Sequence, residues 1–226
     1  MPLARSERAA LADLFLEIGP DRPTLCQGWL TGDLLAHLLI RERRPDAALG
    51  VFLPPLAGWN ARVAAGYRNR PWPESVELFR SGPPKYTPFG WGSLDEKANG
   101  MEMLVHHEDV RRGQPDWEPR SLDEAAVDEV VRMVTSSFVL RALRKRGVPV
   151  TARLTDAGQR DRPLILVPAK NREVFDAPAG VVLLGGVVDI LLWLTGRAAV
   201  QIRFQGGFED VAAVRAGVTK SADGKF

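Results

Sequence analysis

The apolar residues of this chain change their spacing once, near Gly147, and that change limits the architectures open to it. Before it, apolar side chains recur at three and four: Leu11, Leu14, Phe15 and Ile18; Leu34, Leu35, Leu38 and Leu39; Val127, Val130, Val131 and Val134. This is the spacing of helices that each bury one face. After Gly147 the pattern turns to short period-two or β-branched runs, Val148 to Leu154, Pro163 to Val167, Val181 to Leu184 and Val200 to Phe204. An apolar helix, GGVVDILLWLTGR, lies between the last two. The expected fold class is therefore α plus α/β: a helix bundle over 1–146, a small α/β domain over 147–216, and a flexible tail over 217–226.

Local signals set the expected helix ends. Thr31 suits the N-cap of the second helix and Pro45 closes it. Ser121 and Glu124 have the spacing of a capping box, opening a long helix to about Arg146. A helix from about Glu96 to Arg112 stops at Gly113, shorter ones are expected over 57–68 and 74–81, and the Gly- and Pro-rich stretch from Ser81 to Ser93 reads as a loop.

Composition excludes several function classes. The longest charge-free apolar stretch, around Ala177 to Val188, is broken by Pro178 and three glycines, too short to span a bilayer. No secretory signal is visible, and a single cysteine makes no intrachain disulfide, so a cytoplasmic protein without membrane attachment is expected. The net charge is +2 with no basic arm, which argues against nucleic-acid binding by bulk electrostatics. One cysteine also rules out zinc sites built from several thiolates, so a metal site must combine histidine with carboxylates.

There are three histidines. Glu102 stands four residues before His106, which puts the two on one helix face with Cβ atoms about 5–6 Å apart. His107 is rotated by about 100° from His106. With His37 from the second helix, the candidate ligand set is His37, Glu102 and His106. Three N/O ligands leave an open position, the pattern of catalytic rather than structural zinc, and facing helices of a bundle are places where such sites are assembled. Asp33 and Asp109 are placed to orient a ligand imidazole, and Arg41 to hold an anionic substrate. The plain alternative is an i,i+4 polar pair and a core histidine. Spacing alone favours that alternative, and His107-Glu108-Asp109-Val110-Arg111 lacks the second histidine of an HExxH motif.

Elsewhere the bland reading is the default. Cys26 has no CxxC partner and reads as a small packed side chain. Trp29, Trp59, Trp91 and Trp193 read as packing residues before pocket walls. Arg111 and Arg112 suit the C-terminal end of a helix dipole, and Arg43 and Arg44 a solvated face. Gly185-Gly186 is a weak candidate for an anion nest.

The segment PTLCQGWLTGDLLAHLLIRERRPDAALG (Pro23 to Gly50) resembles the P-x-x-C-x-G-W-T-x-x-D-L-x-x-H-L block of the DinB-like, mycothiol-dependent maleylpyruvate isomerase superfamily, with Leu30 set between Trp29 and Thr31. MEMLVHHEDVRRGQPDWEPR (Met101 to Arg120) is similar to that family's second block, and DILLWLTGRAAV (Asp189 to Val200) to its second domain. The resemblance implies a DinB-like four-helix bundle followed by a sterol-carrier-like α/β domain. It implies a divalent metal, zinc foremost, on His37, Glu102 and His106, with mycothiol as thiol cosubstrate. It also implies an isomerase or S-transferase acting on a small anionic or electrophilic substrate, with an arginine of the second domain, Arg197 or Arg203, set against it beside Arg41. Such a protein would be a monomer or homodimer. Two further readings stand beside it: a non-catalytic small-ligand or lipid carrier with a structural or absent metal, and an enzyme that has turned to hydrolysis with water as nucleophile.

Overall fold

The computed structural model describes residues 2–48, 54–87, 92–156, 163–169 and 180–222. Among these, ten helices and one four-stranded sheet form, consistent with an α plus α/β protein. The chain divides into two compact units, Met1–Glu118 and Pro119–Phe226.

The first unit contains α1 (Leu3–Ile18), α2 (Thr31–Arg43), the single turn α3 (Pro45–Ala48), α4 (Ala57–Arg68), α5 (Trp72–Arg80) and α6 (Gly92–Arg111). Leu11, Ala12 and Phe15 of α1, Leu34, Leu35, Leu38 and Leu39 of α2, Val76 and Phe79 of α5, and Met103 and Val110 of α6 build one core. Phe15 meets Trp72 and Phe79 edge-on, with ring centroids 5.6 and 6.0 Å away. The cap of α2 differs from the expectation. Leu30 is the N-cap residue, its N–H donating to Asp33 Oδ2 at 3.1 Å, while Thr31 Oγ1 donates to the Gly19 carbonyl at 2.6 Å and so ties the helix start to the end of α1. Arg43 is partly buried rather than on a fully solvated face. Its Nη2 donates to the carbonyls of Leu78 and Gly82 at 2.8 and 2.6 Å, closing the C-terminal end of α5.

A buried charged pair joins α1 to α2 in this unit. Arg8 of α1 and Glu42 of α2 form a two-pronged ion pair, Nη1 to Oε2 at 2.8 Å and Nη2 to Oε1 at 2.6 Å, and Arg8 also donates to the Phe79 carbonyl. Both residues are buried, so each charge depends on the other.

The second unit begins with α7 (Glu124–Val134) and α8 (Arg141–Arg144). The long helix expected to reach Arg146 breaks after Val134. There Thr135 Oγ1 bonds the Val131 carbonyl and Ser136 Oγ takes the Val139 N–H, so side-chain hydroxyls compete for backbone partners. Asp123 rather than Ser121 is the N-cap, accepting from the Ala126 N–H at 2.8 Å. Val127, Val130 and Val134 pack α7 towards α9 (Val187–Leu194), whose residues are all buried. α7 thus belongs to the compact unit that holds the sheet, Pro119–Phe226.

The sheet runs β2-β1-β3-β4, from β1 (Val150–Leu154), β2 (Pro163–Val167), β3 (Val181–Gly185) and β4 (Arg203–Gln205). β1 pairs antiparallel with β2 and parallel with β3, and β3 pairs antiparallel with β4. β4 starts later than the pattern suggests, because the Gln201 N–H donates to Asp189 Oδ1 instead of joining the ladder. The Gly185-Gly186 turn is not an open nest: Asp156 Oδ2 accepts from the Val187 N–H at 2.8 Å, so a carboxylate of the protein occupies the start of α9. A last helix, α10 (Phe208–Ala222), extends through the first part of the expected tail, burying Val214 and Val218. Trp193 is buried, with its ring centroid 5.2 Å from that of Phe204, and Trp91 lies outside the described residues.

Removing one partner of the Arg8–Glu42 pair leaves a buried charge, so Glu42→Ala should lose about 3–5 kcal/mol of unfolding free energy. The double variant Arg8→Met/Glu42→Leu should recover most of that loss, as measured by urea denaturation.

Candidate metal centre

α2 and α6 bring the three expected residues together in the first unit. Glu102 Oε1 lies 3.7 Å from His37 Nε2 and 3.3 Å from His106 Nε2, and the donor atoms of all three residues fall within 4.8 Å of one another. Two donors about 2.1 Å from a common ion at the tetrahedral angle are about 3.4 Å apart, so both measured distances have the scale of coordination. The two imidazoles meet edge-on with centroids 5.7 Å apart. The site is partly open, the side chains of His37 and Glu102 being 17% and 23% exposed.

Behind His106 lies a dry support. Its Nδ1–H donates to Asp109 Oδ2 at 2.9 Å, three residues further along the same helix, and Asp109 is fully buried. This bond leaves Nε2 directed at Glu102, the orientation a ligand imidazole needs. The Cys26 thiol donates to the same oxygen at 3.3 Å. Trp29 packs against His37 with ring centroids 5.1 Å apart. Asp33, the other candidate to orient an imidazole, is engaged elsewhere, capping α2 and pairing with Arg68 at 2.6 Å.

Burial opposes ionisation of Glu102, but hydrogen bonds from His106 and His37, together with the charges of His106 and Arg41, hold its carboxyl well below the usual range. Burial also opposes the charged form of His106, yet its bonds to Asp109, Cys26 and Glu102 raise its pKa well above that of a free imidazole. In the metal-free centre the His106 ring thus has a carboxylate at each nitrogen, Asp109 at Nδ1 and Glu102 at Nε2.

Arg41 lies at the site, its Nε 3.3 Å from Glu102 Oε1 and its Nη1 bonded to Asn99 Oδ1. Arg197 and Arg203 belong to the second unit, where Arg197 Nη1 donates to the Thr195 carbonyl at 2.8 Å and Arg203 is exposed on β4. His107 points away from the site and pairs with Glu7 of α1 at 2.8 Å in a buried contact. Arg111 and Arg112 both bond the fully buried Glu108, at 2.8 and 2.6 Å, so pairing accounts for them beyond any dipole effect. The Cys26 contact is the part that sequence reading missed. Its partner is 83 residues away, and no local spacing marks it.

No family model matches the chain, and no curated protein is detectably similar to it in sequence. Among solved structures the fold is similar to that in the crystal structure of the mycothiol-dependent maleylpyruvate isomerase, with a TM-score of 0.55, 14% identity, and 90% of each chain covered. Among the described residues, no helix is long and apolar enough to cross a membrane.

The two histidines differ in what depends on them. His106→Ala deprives a buried carboxylate of its charged partner and should cost about 3–5 kcal/mol in the metal-free protein. His37→Ala, at a partly open position, should cost about 1 kcal/mol, mostly lost ring packing. Urea unfolding of both variants without added metal checks this order. The chain has the fold of the mycothiol-dependent maleylpyruvate isomerase.

Proposed function

We propose that this protein is a member of the DinB-like, mycothiol-dependent maleylpyruvate isomerase superfamily, its first unit a four-helix bundle and its second a sterol-carrier-like domain. It is a cytoplasmic metalloenzyme, an isomerase or thiol S-transferase for a small anionic or electrophilic substrate. The observation that carries the reading is the convergence of His37 Nε2, Glu102 Oε1 and His106 Nε2 at ligand spacing. The fold likeness and the sequence blocks at Pro23–Gly50 and Met101–Arg120 support it.

The donor set suits a divalent ion. Two imidazole nitrogens and one carboxylate match zinc, and such N/O sites also accept neighbouring transition metals. A divalent ion held there supplies Lewis acidity, lowering the pKa of an incoming thiol so that the thiolate is available at neutral pH. The chain's own residues do the rest. Asp109 keeps a proton on His106 Nδ1 and so holds Nε2 toward the centre. Glu102 contributes the one negative charge among the three ligands. Arg41 places a guanidinium beside the opening, where it can pair with a carboxylate of the substrate. Arg197 or Arg203 is the candidate for a second anchor.

With the thiol supplied externally, addition to a conjugated double bond, rotation and release of the thiol gives isomerisation. Retention of the thiol gives transfer. The carrier and hydrolase readings predict different results in the same assay.

Purified wild type should carry about one divalent ion per chain, and His37→Ala and His106→Ala should lose it. With mycothiol and a maleyl substrate, turnover should vanish on chelation and return with Zn²⁺. Unchanged metal content in both variants would overturn the site. Tight binding of an apolar ligand without turnover would favour the carrier, and thiol-independent turnover the hydrolase.

A further inference from the structure

The segment between α1 and α2 reaches both histidines of the centre. Thr24 Oγ1 donates to the Trp29 carbonyl at 2.9 Å and accepts from the Cys26 N–H at 3.1 Å, which folds Thr24 to Trp29 into a closed loop. One end of that loop is fastened to the last turn of α6. The Leu25 N–H donates to the Asp109 carbonyl at 2.9 Å, the Cys26 thiol donates to Asp109 Oδ2 at 3.3 Å, and Gln114 Nε2 donates to the Pro23 carbonyl at 3.0 Å. The other end lays Trp29 against His37, at 5.1 Å between centroids.

The fastening depends on a close approach of two backbones. A Cβ at Gly113 would stand 2.5 Å from the Pro23 carbonyl oxygen and 2.8 Å from Thr24 Cα, both backbone atoms that cannot swing aside. Only glycine lets the loop lie this close to α6. Gly113 therefore does more than end the helix.

Resting on the reading of His37, Glu102 and His106 as ligands, we infer that the Thr24–Trp29 loop is the positioning element of the centre. It braces His106 through Cys26 and Asp109 and His37 through Trp29, with Gly113 as the residue that admits it. Cys26 is then a positioning residue and not a ligand. The distances agree: its sulfur is 4.0 Å from His106 Nδ1, the nitrogen turned away from Glu102, and the 2.9 Å contact between that nitrogen and Asp109 is a hydrogen bond, shorter than the spacing of two ligands on one ion.

The test uses the full chain and two independent readouts. Zn²⁺ affinity, measured by competition with a chromophoric chelator, should fall about 10–100-fold in Cys26→Ala and in Gly113→Ala, the usual effect of losing support behind a ligand. Cys26→Ser, which keeps a donor to Asp109, should recover most of the loss. In the metal-free protein, the His106 Nδ1–H proton should give a slowly exchanging downfield NMR resonance that disappears in Cys26→Ala and Gly113→Ala.

Wild-type affinity in either variant, or a persistent resonance, overturns the inference. So does a thiolate charge-transfer band in the Co²⁺ form, which would make Cys26 a ligand. If Gly113→Ala does not fold, Cys26→Ala and Cys26→Ser decide alone. If the wild type binds no metal, the functional reading fails, while the resonance still tests the bracing.

Discussion

The Asp109 carboxylate has no exposure to water, and much of the first unit's local structure is a response to that. A buried anion is tolerated only when donors surround it. His106 Nδ1–H and the Cys26 thiol both donate to its Oδ2, and its main-chain carbonyl takes the Leu25 N–H. Satisfying this one side chain orients the His106 ring, fastens the 24–29 loop to α6 and directs a nitrogen at Glu102. The candidate centre is the outward side of the same arrangement.

α6 distributes this chemistry by helical geometry. Glu102 and His106, four apart, share the face turned to α2, while His107 is directed to Glu7 of α1. Met103 and Val110 face the common core. Adjacent histidines thus divide two tasks, one at the partly open centre and one in a buried seam between α1 and α6. Arg8 and Glu42 tie α1 to α2 in the same fashion, so both helices of the candidate centre are anchored to α1 by buried charged contacts as well as by apolar packing. Such pairs are weak evidence for added stability, but they penalise any register in which a partner is missing.

Periodicity made the helices of the first unit legible, along with the strand and helix order of the second. The i,i+4 spacing of Glu102 and His106 made two of the three candidate ligands legible as a pair, the scarcity of histidine put His37 beside them, and the sequence blocks supported the set. What stayed hidden depended on contacts distant in sequence or on competition for backbone groups. The valine stripe of α7 announces a buried face without saying that α9 covers it. Thr135 and Ser136 interrupt a pattern that hydrophobic spacing alone would continue to Arg146. Asp156 fills the start of α9 from 31 residues away, and Cys26 reaches Asp109 across 83. Among the described side chains of α10 the buried apolar ones are Val214 and Val218, a faint stripe.

We propose that an ion belongs between α2 and α6. Anomalous diffraction at the zinc edge from crystals of the zinc-loaded protein tests it most directly. A single peak about 2.0–2.2 Å from His37 Nε2, Glu102 and His106 Nε2, with one position left to solvent, is the expected result. A peak among Cys26, His106 and Asp109, or an ion closed off by four protein ligands, would contradict it.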